Sequence, residues 1–192
     1  MSINLNVGWN EVKAKDISLG GILVALTSII LYSASILPIS TLTILTIASA
    51  IIPVCIIRSN VKTSIFVYIS SSLIAFFLVP INIGLLYFIF FGVYGIIKYF
   101  IERMRKENIE IILKLLFFNI AFLIGFIIMQ NILGINIVAG LETLVSKFVD
   151  TSTSLIASIV LWIVAQPIFL IYDYAMTMII TFYLERIHKV SK

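Results

Sequence analysis

The chain has 192 residues, of which 61% are hydrophobic and only 11% charged, with 13 Lys and Arg against 9 Asp and Glu for a net charge of +4. A water-soluble domain carries about 25% charged residues, so these side chains are too few to cover a folded surface in water, and the mean hydropathy of +1.19 agrees. At about 20 residues per crossing, six helices with short loops use most of the length and leave no room for a soluble catalytic domain.

Taken in order, residues 1–9 and the charged group Glu11, Lys13, Lys15 and Asp16 precede an apolar run of spanning length, which reads as a retained helix and not as a cleaved signal peptide. No charge occurs from Ile17 to Ile57. That is too long for one crossing, and Pro38, which cannot donate a helical hydrogen bond, divides it into helices over 18–37 and 40–57. After Arg58 and Lys62 a second uncharged stretch, Thr63 to Ile97, is divided near Pro80 and Asn82 into helices over 63–79 and 81–97. A polar loop with Lys98, Glu102, Arg103, Arg105, Lys106, Glu107 and Glu110 leads to a fifth helix over 111–133, and a sixth covers 154–184. Between those two, Ile137, Val138, Leu141, Leu144, Val145, Phe148 and Val149 recur at helical spacing, with Glu142, Lys147 and Asp150 off that face. The segment 137–149 therefore reads as an amphipathic helix, too short and too charged to span, lying on the interface or folding over the bundle. The expected architecture is all-α, a single integral membrane domain of six helices.

With this division every Lys and Arg except Lys147 falls on one side of the membrane. Basic residues in short loops are retained in the cytoplasm, so both termini are expected there. The basic balance thus reads as topology and not as a nucleic-acid footprint. The two halves share no Pro, Gly or charge pattern, which argues against an inverted repeat.

Few side chains can carry chemistry. Cys55 is the one cysteine, and His188, the one histidine, lies in the C-terminal tail, so neither a disulfide, a zinc pair nor a Ser-His dyad is expected at membrane depth. Asp173 is the one acid well inside a span, which excludes a carboxylate dyad, and no Gly-rich phosphate loop is present. The expectation is a protein without catalytic residues, metal or cofactor. Asp173 itself must be compensated, because a carboxylate at such depth costs at least about 2.5 kcal/mol. Two readings stand: a contact to a polar or cationic ligand or a proton site, or else an ion pair with Lys98 or Lys114 or a hydrogen bond to a neighbouring Tyr or Ser. Pro167 frees a backbone carbonyl near Ile163, and with Gln166 and Trp162 it either makes the floor of a site opening outward or is a kink that only shapes the bundle. Gln130 and Asn131 stand near the outer end of the fifth helix, with Asn119 deeper. These amides either recognise a ligand or bond across helices for about 0.6 kcal/mol. Gly21, Ala25 and Ser28 make a small-residue stripe on the first helix, and Gly92 and Gly95 allow close approach on the fourth.

Several of these segments resemble the substrate-binding S-components of energy-coupling factor (ECF) vitamin transporters. Ile17-Ser18-Leu19-Gly20-Gly21-Ile22-Leu23-Val24-Ala25-Leu26 looks like their first helix, Ile52-Pro53-Val54 through Arg58 and Lys62 is similar to their second-to-third junction, and Pro167-Ile168-Phe169, Tyr172-Asp173 and Phe182-Tyr183-Leu184-Glu185-Arg186 resemble their closing segment. The chain departs from that pattern where Arg58-Ser59-Asn60 replaces a Gly-Pro turn, where Leu170 replaces an Asn, and where an acid stands near the place of a basic residue. The resemblance implies capture of a vitamin-like metabolite from outside the plasma membrane by Gln130, Asn131, Trp162, Gln166, Tyr172 and Asp173. It also implies docking of Gly21 and Ala25 on a coupling membrane protein whose ATPase partners supply the energy. The chain is similar as well to other six-helix membrane proteins, among them the rod-shape protein MreD, which implies a scaffold with no substrate.

Overall fold

The computed structural model describes residues 13–37, 41–104, 106–136 and 153–190, with 138, 139, 142, 143 and 146 between the last two ranges. Six helices among them are long and apolar enough to cross a membrane: α1 (Ala14–Ile36), α2 (Thr41–Arg58), α3 (Val61–Leu78), α4 (Ile81–Glu102), α5 (Glu107–Ile127, continued by a wide turn over Ile128–Ile132) and α6 (Thr153–Val190). The expected all-α, six-span architecture is the one observed.

The boundaries follow local chemistry. Ser59 and Asn60 alone separate α2 from α3, because the Asn60 side chain caps α3 by accepting from the Thr63 amide at 2.8 Å. Val79, the residue before Pro80, is extended as that position demands, and Pro80 opens α4. The Pro38 turn lies outside the described residues. Four helices run beyond their apolar stretches, α4 to Glu102, α5 back to Glu107, α6 to Val190 and α3 back to Val61. Charge ends a membrane span but not a helix, since Lys, Arg and Glu are good helix formers. At 38 residues, α6 is about 57 Å long, well beyond the roughly 30 Å of a hydrocarbon core.

Packing divides the bundle. One core, Leu23, Ile51, Ile52, Cys55, Ile56, Val61, Val67 and Ile96, joins α1 to α4. Here α1 lies on α3 and α2, and α4 approaches so closely that a Cβ on Gly95 would stand 2.8 Å from the Pro53 ring and 3.1 Å from Ile52 Cβ. Likewise a Cβ on Gly92 would meet the Tyr68 ring at 2.7 Å. The second core is aromatic. Phe118 on α5 stacks on Phe169 of α6 at 4.6 Å, and Phe90 and Tyr94 of α4 pack edgewise on Phe169, in the range where ring pairs add about 0.5–1.5 kcal/mol each. These large rings bridge α4, α5 and α6. Even so, α5 and α6 are the two least covered spans of the bundle.

Within α4, residues Tyr87–Phe91 form a π-helical turn in which Gly92 N–H donates to Tyr87 O, five residues back. The wider turn loosens the backbone bonding there, and the Tyr68 hydroxyl donates to Phe88 O at 2.7 Å.

Candidate functional site

Asp173 lies at the centre of a three-helix ionic network. Lys98, one turn before the end of α4, is 1% exposed and ion-pairs with Asp173 Oδ1, with Glu102 Oε1 at 2.7 Å, and donates to Thr177 Oγ1 at 2.8 Å. Lys114 on α5 reaches Asp173 Oδ2 at 3.1 Å, Glu102 Oε1 at 2.9 Å and Glu110 Oε1 at 2.7 Å. The Tyr94 hydroxyl donates to Asp173 Oδ1 at 2.6 Å. Both carboxylate oxygens are thus engaged, by the two lysines that the sequence offered as partners and by one tyrosine hydroxyl. Three carboxylates meet two ammonium groups, and the outermost, Glu102, is the most exposed at 35%. Asp173, only 19% exposed, belongs to the structural interior of this end of the bundle.

Tyr172 is buried in the aromatic core, and its hydroxyl pairs with Ser49 of α2 at 3.0 Å. Nearby, Ser71 and Tyr87 make the same kind of pair at 3.0 Å. Each buried phenol therefore has a partner, as burial requires.

Trp162 and Gln166, one turn apart on α6, meet Asn119 of α5. The Trp162 indole N–H donates to Asn119 Oδ1 at 2.6 Å, and Gln166 Nε2 donates to the same oxygen at 3.0 Å. Asn119 Nδ2 donates to Leu115 O at 2.8 Å and more weakly to Gln166 Oε1 at 3.4 Å. Gln166 lies about 18 Å into α6, counted from Ser154 at 1.5 Å per residue, well inside the apolar span Ser154–Arg186. Trp162 is 46% exposed, and neither amide is fully buried. Hydrocarbon cannot satisfy such groups.

Gln130 and Asn131 stand apart, about 16 Å further along α5 than Asn119. They sit in the π-helical turn Ile128–Ile132, where Leu133 N–H donates to Ile128 O at 3.1 Å. Gly134 then adopts φ +65°, the left-handed conformation that glycine tolerates, so that Ile135 N–H closes on Met129 O at 2.8 Å. The six residues singled out in the sequence are thus not one constellation. They fall into an end pair (Gln130 and Asn131), a pair on α6 that meets Asn119 (Trp162 and Gln166), and two neighbours that part company, Tyr172 in the aromatic core and Asp173 in the ionic network.

Comparison with family models, with curated proteins and with solved structures finds no match to this chain.

Gly21 and Ala25 are exposed on α1, and a Cβ at Gly21 would meet nothing within 4 Å, whereas Ser28, the third member of the stripe, is buried and donates to Val24 O at 2.8 Å. Gly20 is the position that packs internally, 3.2 Å from Thr63 Cγ2. Of the amphipathic segment 137–149 only Val138, Ala139, Glu142, Thr143 and Ser146 are described, the rest lying outside the described residues. Two helical bonds, Glu142 N to Val138 O at 2.8 Å and Ser146 N to Glu142 O at 2.9 Å, run through them.

Asn119 is the residue that sequence reasoning underrated, since nothing in a single chain shows that it meets Trp162. Glu102 and Glu110 left a clearer signal, as each stands four residues from a lysine, at helical ion-pair spacing.

Proposed function

We propose that this protein is a membrane-embedded binding subunit, of the S-component kind, that captures a small vitamin-like metabolite at the α5–α6 seam. The single observation that carries the reading is the polar triad of Asn119, Trp162 and Gln166, held well inside the apolar span of α6 on the least covered side of the bundle. Buried amides normally complete their bonding inside the protein, and those open to a seam remain available to a ligand. Gln130 and Asn131 would stand at the outer mouth, and Tyr172 and Asp173 would hold the floor. Both termini would be cytoplasmic and the bilayer the plasma membrane, since the basic residues cluster on one side. Energy would come from a coupling membrane protein and its ATPases, docked on the exposed Gly21 and Ala25 face of α1.

Native mass spectrometry of the purified protein tests this: a bound small metabolite, lost on Gln166→Leu or Asn119→Leu, is expected. A protein reproducibly empty and indifferent to a vitamin panel would refute it. A second reading is a cell-envelope scaffold of the MreD kind, which would use α6, the least covered span, as its partner face. Copurification distinguishes the two. Recovery of a coupling protein and ATPases, abolished by Gly21→Leu, supports the first, and recovery of wall-synthesis proteins supports the second.

A further inference from the structure

The hydrogen bonds of the triad fix the kind of ligand it suits. An indole N–H is a donor only, so the Asn119 atom 2.6 Å from Trp162 Nε1 is the carbonyl oxygen. The Gln166 atom 3.0 Å from that oxygen is then its nitrogen, which leaves Gln166 Oε1 turned to Asn119 Nδ2. Turning either amide over would set donor against donor, so Trp162 orients both.

The short bonds use the indole N–H, one Gln166 N–H, both lone pairs of Asn119 Oδ1 and one Asn119 N–H. What remains is weakly used: Gln166 Oε1 and the second Asn119 N–H hold each other only at 3.4 Å, and the second Gln166 N–H reaches Trp162 O at the same distance. The first of these is an acceptor adjoining a donor, and its complement is a donor adjoining an acceptor. The half-exposed Trp162 indole beside it offers a flat face for stacking. Charge is excluded by the surroundings. The triad is neutral, an unpaired ion is disfavoured at this depth, and the ammonium groups of Lys98 and Lys114 are held by Asp173, Glu102 and Glu110.

We infer that the site recognises a neutral, planar ligand through a cis-amide edge, the N–H and C=O of a lactam or a primary amide, with the N–H on Gln166 Oε1, the C=O on Asn119 Nδ2 and the ring on Trp162. This rests on the binding-subunit reading above and narrows it to a substrate class.

The test uses the full chain in lipid nanodiscs with 2-pyridone, which has that edge, and N-methyl-2-pyridone, which lacks only the N–H. Affinities are read by saturation-transfer NMR. Losing the N–H leaves Gln166 Oε1 with only its long bond from Asn119 Nδ2, so binding weakens about tenfold. Gln166→Leu abolishes the preference. Benzoate and N-methylpyridinium bind no better than the methylated lactam. Equal binding of the two pyridones, tighter binding of either ion, or no response to any probe overturns the ligand class. The binding-subunit reading is judged separately, by whether the protein as purified carries a small molecule in native mass spectrometry. Should Gln166→Leu fail to fold, the pyridone pair on the unaltered protein decides.

Discussion

Replacing Lys98 by Met removes the ammonium group while nearly keeping the side-chain volume, and it strikes the network where it is most enclosed. Lys98 is 1% exposed and holds Asp173, Glu102 and Thr177. With it gone, three carboxylates face Lys114 alone, so the cluster of five side chains passes from 2 − 3 = −1 to a remaining charge of 1 − 3 = −2. Breaking a buried pair by removing one partner costs about 3–5 kcal/mol. Tyr94 and Lys114 still hold Asp173, which points to the lower end, about 3 kcal/mol or a fall in Tm of about 6–12 °C for a chain of this size. Asp173→Asn acts in the opposite sense, because it brings the remaining four charges to 2 − 2 = 0, and about 1–2 kcal/mol is expected from the lost charged hydrogen bonds. The double variant Lys98→Met with Asp173→Asn should be less damaged than the sum of the two, by at least about 1 kcal/mol. Thermal unfolding in nanodiscs followed by circular dichroism measures all four members of the cycle. Strict additivity, or a Lys98→Met variant as stable as the parent, would show that the network does not hold α4 to α6.

Glycine substitutions on two helices should behave oppositely. Gly95→Val drives side-chain atoms into Pro53 and Ile52, at a cost of about 1–3 kcal/mol or more, whereas Gly21→Leu, with open space around it, leaves Tm unchanged. A loss of stability in Gly21→Leu would mean that α1 is covered. Phe169→Ala removes the ring that Phe118 stacks upon and should cost about 3–5 kcal/mol, read in the same melting assay. Asn60→Ala deletes the cap of α3 and should cost about 1 kcal/mol, with Asn60→Asp recovering most of it. For topology, Arg103→Cys in a Cys55→Ser background should react with an impermeant maleimide only when the cytoplasmic face is open. Labelling from outside in intact cells would reverse the orientation.

The six spans were legible because hydropathy and the Pro80 break act locally, residue by residue. The partners of Asp173 were nearly legible too, since a carboxylate at depth needs a cation and only Lys98 and Lys114 lie near enough along the chain's spans. What a sequence does not show is which faces of two helices meet. That is why Asn119 stood as a lone amide until Trp162 was placed 2.6 Å from it. For the same reason Trp162, Gln166 and Asp173 looked like one site. Asp173 follows Gln166 by seven residues, about 10 Å along the axis, and sits in a different environment, ionic where the other is neutral. Tyr172 and Asp173 are adjacent in sequence and yet face an aromatic core and an ion cluster, respectively.

The wide turn at Tyr87–Phe91 has a consequence for how α4 tolerates change in length. Successive residues of an α-helix are set about 100° apart, so deleting one residue from the regular stretch between Gly92 and Lys98 would swing Lys98 away from Asp173 by roughly that angle. The π-helical turn already accommodates one residue more than a regular turn. Deleting a residue there, Ile89 for example, lets the backbone relax to ordinary helix while Gly84 stays beneath α3 and Lys98 stays opposite α6. The helix carries a spare residue at its midpoint, and its two halves keep separate phases of the apolar pattern, each to be read on its own count.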